Sequence, residues 1–314
     1  MDQGFQSERK PLPSTNPLWN RGREAGFSCC ASLEVTGGTY HRTYTNSGGG
    51  ATGEADPATV SSFRLDKYLV TVGRLRQFVK ASNGGYVPSP GSGKHAHLNG
   101  GQGLRATGGG YEPGWVASDD ANLFLTDASL LCSSGYSAWT SAPGGHEDLP
   151  MNCLTWAAAY AFCIWDGGFL PSEAEWEYAA AGGAEQRPYP WGATAPGTGN
   201  RYVIYNCNFP NGSGNCTGVI NLAAVGTATL GAGRWGQLDL AGDMWEWNLD
   251  AYDTYTFVDP CADCANLTAM PTRRVIRGGD YSIDMPNLLA SSRYPGSDST
   301  GNGSGNGVRC ARIP

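Results

Sequence analysis

The sequence predicts a single, mostly irregular domain with a small content of helix and strand, and three observations predict it. Forty-six glycines punctuate the 314 residues, and glycine is what loops need wherever φ is positive. Ten tryptophans and fifteen tyrosines supply large rings that bury much surface from few positions. Charged residues make up only 16% of the chain, and the segments with helical or strand periodicity are short.

Charge and cysteine usage narrow the class. The net charge of −7, with no cluster of Lys and Arg, excludes a surface built to neutralise nucleic-acid phosphates. Ten cysteines occur without paired zinc knuckles or a histidine placed to complete one, so disulfides are expected, and with them an oxidising compartment. The start, Met1-Asp2-Gln3-Gly4-Phe5-Gln6, lacks an apolar signal core, and no run of eighteen apolar residues occurs. The expectation is a secreted or cell-envelope protein in mature form, a leader having been removed, with no membrane span.

Residues 1–27 are polar and aperiodic and read as a flexible arm, leaving 28–314 as one domain. Leu33 to Tyr40 reads as a strand entering a glycine turn, Asn46 to Gly53 as a flexible loop, and Val60 to Leu65 as a second strand. Val72, Leu75, Phe78 and Val79 recur at three and four, which predicts an amphipathic helix capped by Thr71. Lys94-His95-Ala96-His97 offers two histidines with no third ligand nearby, so it is read as a solvated loop. Thr155 to Trp165 predicts a second helix stopped by Gly167-Gly168. A third starts with Pro171 at N1 and carries Glu173 and Glu175 in its first turn, where they suit the dipole. Cys207 and Cys216 bracket a run of turn formers that a local disulfide would pin. Cys261-Ala262-Asp263-Cys264 is the other close pair and lacks the strand–helix context of a redox motif. Cys29, Cys30, Cys132 and Cys153 have no assigned partners.

Three ordered blocks carry a resemblance: Leu170-Pro171-Ser172-Glu173-Ala174-Glu175-Trp176-Glu177-Tyr178, Leu240-Ala241-Gly242-Asp243-Met244-Trp245-Glu246-Trp247, and the tail from Arg277-Gly278-Gly279-Asp280-Tyr281 to Gly307-Val308-Arg309-Cys310-Ala311. Together they resemble the formylglycine-generating enzyme (sulfatase-modifying factor) family from about Leu33 to Pro314. The resemblance implies an α+β, C-type-lectin-like fold of low secondary-structure content, stabilised by disulfides and calcium. It also implies a disulfide between Cys163 and Cys310, 147 residues apart.

The family oxidises a sulfatase cysteine to formylglycine with oxygen and copper(I), which soft thiolates select. Its motif places two cysteines four and nine residues after the second glycine of Arg-Gly-Gly, and here those positions are Ile283 and Leu288. Copper is therefore not expected. Iron-dependent relatives use three histidines in segments that His41, His95, His97 and His146 do not match, and no G-x-S-x-G elbow occurs. Family calcium ligands map to Asp239, Gly242, Met244 and Glu246, hard oxygen donors of the kind calcium prefers. The alternative is that Asp239 caps a turn and Glu246 pairs with an arginine such as Arg277 or Arg293. A second calcium loop maps loosely to Asn206 and Cys207 with Thr217 and Val219, Thr217 standing where the family has Asp.

Between Tyr281 and Gly305 the tail offers Tyr281, Asp284, Asn287, Arg293, Tyr294, Asp298 and Asn302 as a ligand-binding set, since hydroxyls, amides and tyrosines suit adaptable surfaces. The resulting expectation is a non-catalytic, calcium-stabilised binding or assembly domain for a protein, a glycan or its own copies. Two alternatives stand beside it: an oxidoreductase acting through an unrecognised site, and a self-assembling subunit of an extracellular fibre or surface layer, its arm docking on a neighbour.

Overall fold

A computed structural model describes residues 30–252, 257–268, 273–298, 301 and 303–314; the predicted arm, 1–27, lies outside them. Among these residues, four small sheets and four α-helices are embedded in long loops. Strands β1 (Ser32–Val35) and β4 (Phe63–Asp66) pair antiparallel, and β12 (Ala311–Arg312) adds to the other edge of β4. Between them, β2 (Gly38–Asn46) and β3 (Ala51–Val60) form a long hairpin. The loop expected from Asn46 to Gly53 shrinks to its turn, and the second strand expected at Val60 to Leu65 is divided between β3 and β4. Pairing brings residues into register that isolated β-propensity undervalues, because edge positions of a hairpin tolerate Gly, Glu and Asp.

Helix α1 (Val72–Asn83) begins at Thr71, whose hydroxyl accepts the Arg74 amide, as the cap pattern predicts. Its Val72, Leu75, Phe78 and Val79 are buried. A two-residue strand β5 (Arg105–Ala106) and the short α2 (Asp127–Leu130) interrupt the glycine-rich connection that follows. Helix α3 (Trp156–Trp165) is capped by Thr155 and buried on all sides from Trp156 to Cys163, so it threads the core. Helix α4 (Glu173–Ala181) starts two residues later than expected: Ser172 is the N-cap in a capping box with Glu175, and Pro171 precedes it. Gly182, in the left-handed region, ends it.

The central sheet runs β10 (Arg293–Asp298), β9 (Arg273–Arg277), β6 (Trp245–Ala251) and β11 (Asn306–Gly307). Two short strands, β7 (Cys261–Ala262) and β8 (Cys264–Ala265), tie the Cys261 loop to β3 and β5. Disulfides join Cys163 to Cys310, Cys207 to Cys216 and Cys261 to Cys264, as expected, and a fourth joins Cys132 to Cys153. Cys29 lies outside the described residues. Cys163 to Cys310 staples α3 to the tail with 5.3 Å between Cα atoms. No helix among the described residues is long and apolar enough to cross a membrane.

Candidate functional site

The tail motif is held by α4. Glu173 and Glu177, four apart, share one side of the helix and Glu175, two from each, lies on another, and both sides are buried. Every one meets a cation. Arg277, wholly buried at the end of β9, donates through Nε to Glu173 at 2.9 Å and through Nη2 to Glu177 at 2.7 Å. Arg293 donates to Glu173 at 2.7 Å. Burial alone would raise the Glu173 carboxyl, but Arg277 and Arg293 outweigh it and hold it below its usual value. Burial pushes Glu177 up to about 8 despite Arg277, because Glu173 shares that guanidinium.

On another side of α4, Glu175 accepts from His95 Nε2 at 2.9 Å while Glu112 meets His95 Nδ1 at the same distance. Burial should keep this imidazole neutral, yet the two carboxylates overcome it and raise His95 to about 10. His95 is fully buried, so the solvated loop expected at Lys94 to His97 is corrected. No local pattern signals it, because Glu112 and Glu175 are 17 and 80 residues away.

Beyond β9 the chain turns through Gly278 and Gly279, both at positive φ. At Gly279 a Cβ would lie 2.6 Å from Ile283 Cδ1 and 3.2 Å from Leu288 Cδ2, so only glycine fits. The two hydrocarbon side chains that stand at the implied copper positions therefore converge on one point. Leu288 is 1% exposed and belongs to a small apolar cluster with Tyr189, Val203, Tyr205 and Ala241, against which Ile283 packs.

The implied calcium turn is arranged differently from the expectation. Glu246 is engaged by Arg309: Nε reaches one oxygen at 2.6 Å, Nη2 the other at 2.8 Å, and Trp176 Nε1 also donates at 2.8 Å. The arginine partner is thus Arg309, whereas Arg277 and Arg293 serve α4. Both Glu246 oxygens accept from this guanidinium, as the arginine-paired alternative expects in kind, and Oε1 keeps a lone pair. Gly242 O already accepts the Met244 amide, and Asp239 accepts the Gly226 amide. Burial raises Asp239 to about 6. One acid in this turn keeps spare capacity: Asp243 is buried, its Oδ2 has no hydrogen-bond partner among the described residues, and burial with the neighbouring Asp239 charge raises it well above normal. In the loosely mapped second loop, Thr217 donates to Asn221, Cys207 is in its disulfide and Asn206 is exposed. The Asn221 amide also donates to Phe209 and Asn215, tying that loop together.

The tail set divides. Tyr281 is 3% exposed inside the main core and leaves the surface set, because its ring packs where the tail crosses the sheet. Asp284 is exposed and accepts the Asn287 amide at 2.7 Å. Tyr294 is half exposed and stacks on Trp245 with ring centroids 5.3 Å apart. Arg293 lies over the rings of Tyr252 and Phe257 as well as bonding Glu173. Asn302 and the side chain of Asp298 lie outside the described residues.

Residues 21–314 match the sulfatase-modifying factor enzyme 1-like domain. The chain belongs to that family. The formylglycine-generating enzyme of Streptomyces coelicolor is 29% identical over 295 residues, covering 87% of this chain and 82% of that protein. The inactive C-alpha-formylglycine-generating enzyme 2 of mouse is 33% identical over 147 residues, 44% of this chain and 47% of that protein. Among solved structures, PvdO from Pseudomonas aeruginosa superposes with a TM-score of 0.57 at 18% identity, covering 90% of this chain and 94% of that one. Treponema denticola variable protein 1 superposes at 0.51 and 17% identity, covering 90% and 95%. Both likenesses concern the fold alone. In this sulfatase-modifying-factor domain the three blocks that carry the resemblance meet at α4, β6 and the tail, through Trp176, Glu246, Arg277 and Arg309.

Proposed function

We propose that this chain is a non-catalytic member of its family, keeping the scaffold as an extracytoplasmic binding or assembly domain. The observation that carries the reading is the meeting of Ile283 and Leu288 on Gly279. Two hydrocarbon side chains offer no lone pair to a monovalent metal, and copper(I) selects thiolates. Buried Leu288 contributes packing in their place. Four disulfides support an oxidising compartment, and the family includes a mouse relative described as inactive.

The test is oxygen uptake by the full chain with copper(I) and a sulfatase-motif peptide. Uptake at the blank rate is expected; peptide-dependent turnover overturns the reading. Calcium belongs to the proposal in a modified form, through Asp239 and the unpartnered oxygen of Asp243, since hard carboxylates suit it. Removal with EDTA should lower Tm and added calcium restore it. A Tm indifferent to both, in the wild type and in Asp243→Asn alike, removes the ion.

A further inference from the structure

On the far side of the α4 charge cluster lies a cleft of about 320 Å³ lined by Arg42, Tyr44, Asp56, Phe257, Ser291 and Arg293, at the small end of the range for ligand sites. Arg42 and Arg293 both lie over the Phe257 ring, their guanidinium carbons 4.4 and 4.9 Å from its centroid. The ring holds two cations at one opening.

Arg42 is 4% exposed, and its hydrogen bonds go to neutral acceptors, the carbonyls of Asp56 and Val258. Among the described residues its Nη1 makes no hydrogen bond and no carboxylate pairs with it at contact distance. A buried guanidinium without a carboxylate is a costly arrangement unless something anionic reaches it. The Ser291 hydroxyl, on the same lining, likewise donates to no described residue. By contrast Tyr44 and Thr43 spend their hydroxyls on Arg187 O and Asp56. The unspent groups are donors.

Charge decides the kind of anion. Around the cleft, Arg42, Arg277 and Arg293 face Asp56, Glu173 and Glu177. Arg277 pairs with Glu173 and Glu177 and Arg293 pairs with Glu173, which leaves the Arg42 charge in excess of its carboxylate partners among the described residues. A monoanion matches that excess. A planar guanidinium edge matches a carboxylate in particular.

We infer that the Arg42–Phe257–Arg293 cleft is a binding site for a small monocarboxylate with an apolar body, its carboxylate on Arg42 and Ser291. This deepens the binding role proposed above and rests on it. Turnover in the oxygen assay would sink that reading without altering a carboxylate titration, so the two can fail separately.

The experiment is isothermal titration of the full chain with benzoate, acetate and inorganic phosphate at fixed ionic strength. Benzoate should saturate at one per chain and bind more tightly than acetate, with phosphate weakest. Arg42→Gln should weaken benzoate about tenfold or more, the loss expected for a charge-assisted bond. Absence of saturation with benzoate overturns the inference, as does tighter binding of phosphate. So does a folded Arg42→Gln chain that binds as the wild type. Should Arg42→Gln fail to fold, Ser291→Ala decides: it should weaken benzoate about threefold, and an unchanged affinity overturns the site.

Discussion

Two regions of one motif behave in opposite ways. Around α4 every carboxylate has a cation: Glu173 with Arg277 and Arg293, Glu175 with His95, Glu177 with Arg277, and on the neighbouring strand Glu246 with Arg309. Just beyond Arg277 the tail keeps its glycine turn but presents Ile283 and Leu288, six and eleven residues on, at the positions that the resemblance assigns to copper ligands. The first region must stay whole, because removing one member strands a buried charge. The second was open to replacement, because losing both polar ligands for apolar ones leaves nothing unsatisfied.

The largest effect expected comes from cutting the bridge that ties α3 to the end of the tail. Replacing Cys163 and Cys310 by Ala removes a bridge spanning 147 residues and should cost about 5 kcal/mol in the loop-closure picture, read from guanidinium unfolding. A loss below about 1 kcal/mol would show that the tail docks without it. Next, Arg277→Leu should cost about 3 to 5 kcal/mol, since Glu173 and Glu177 lose their shared partner. A neutral result would mean that the charge cluster is not what holds α4.

Leu288→Ala sharpens the other half. It should cost about 2 to 3 kcal/mol in the same measurement, because the side chain is buried in the small cluster; a cost near zero would make the position a vacant cleft. The effect of pH bears on the charge cluster again. His95 is raised from 6.5 to about 10, so its contribution is fully present below pH 6.5 and is lost as pH rises through about 10. Glu177, raised to about 8, also makes the folded chain the better proton binder. Stability should fall from neutral toward pH 10, and His95→Gln should flatten the upper part of that slope. An equal slope in the variant would remove His95 from the account. Smallest, Asp284→Ala should change stability by less than about 0.5 kcal/mol, as an exposed pair with Asn287 allows.

Much of the scaffold was legible beforehand where the signal is local. The Thr71 and Thr155 caps, the apolar stripe of α1 and the turn formers between Cys207 and Cys216 act within a few residues of themselves. Strand β6 was also there to be read: Trp245, Trp247, Leu249 and Ala251 alternate with Glu246, Asn248 and Asp250. The buried polar face disguises it, since both sides of that strand are covered. The start of α4 moved by two residues, from Pro171 to Glu173, because the Ser172 hydroxyl caps it.

By itself the sequence determined the family, the absence of thiols at positions 283 and 288, and the disulfides Cys207–Cys216 and Cys261–Cys264, because each depends on identity and near spacing. Only the tertiary structure decided which cation each buried carboxylate meets. Glu246 takes Arg309, 63 residues on; His95 takes Glu175, 80 residues on; and Arg42 reaches Phe257 and Arg293 across the chain. Such partners are chosen by what the folded backbone brings within 3 to 5 Å, and in a low-dielectric interior that proximity, rather than residue type, sets the energy of a charge.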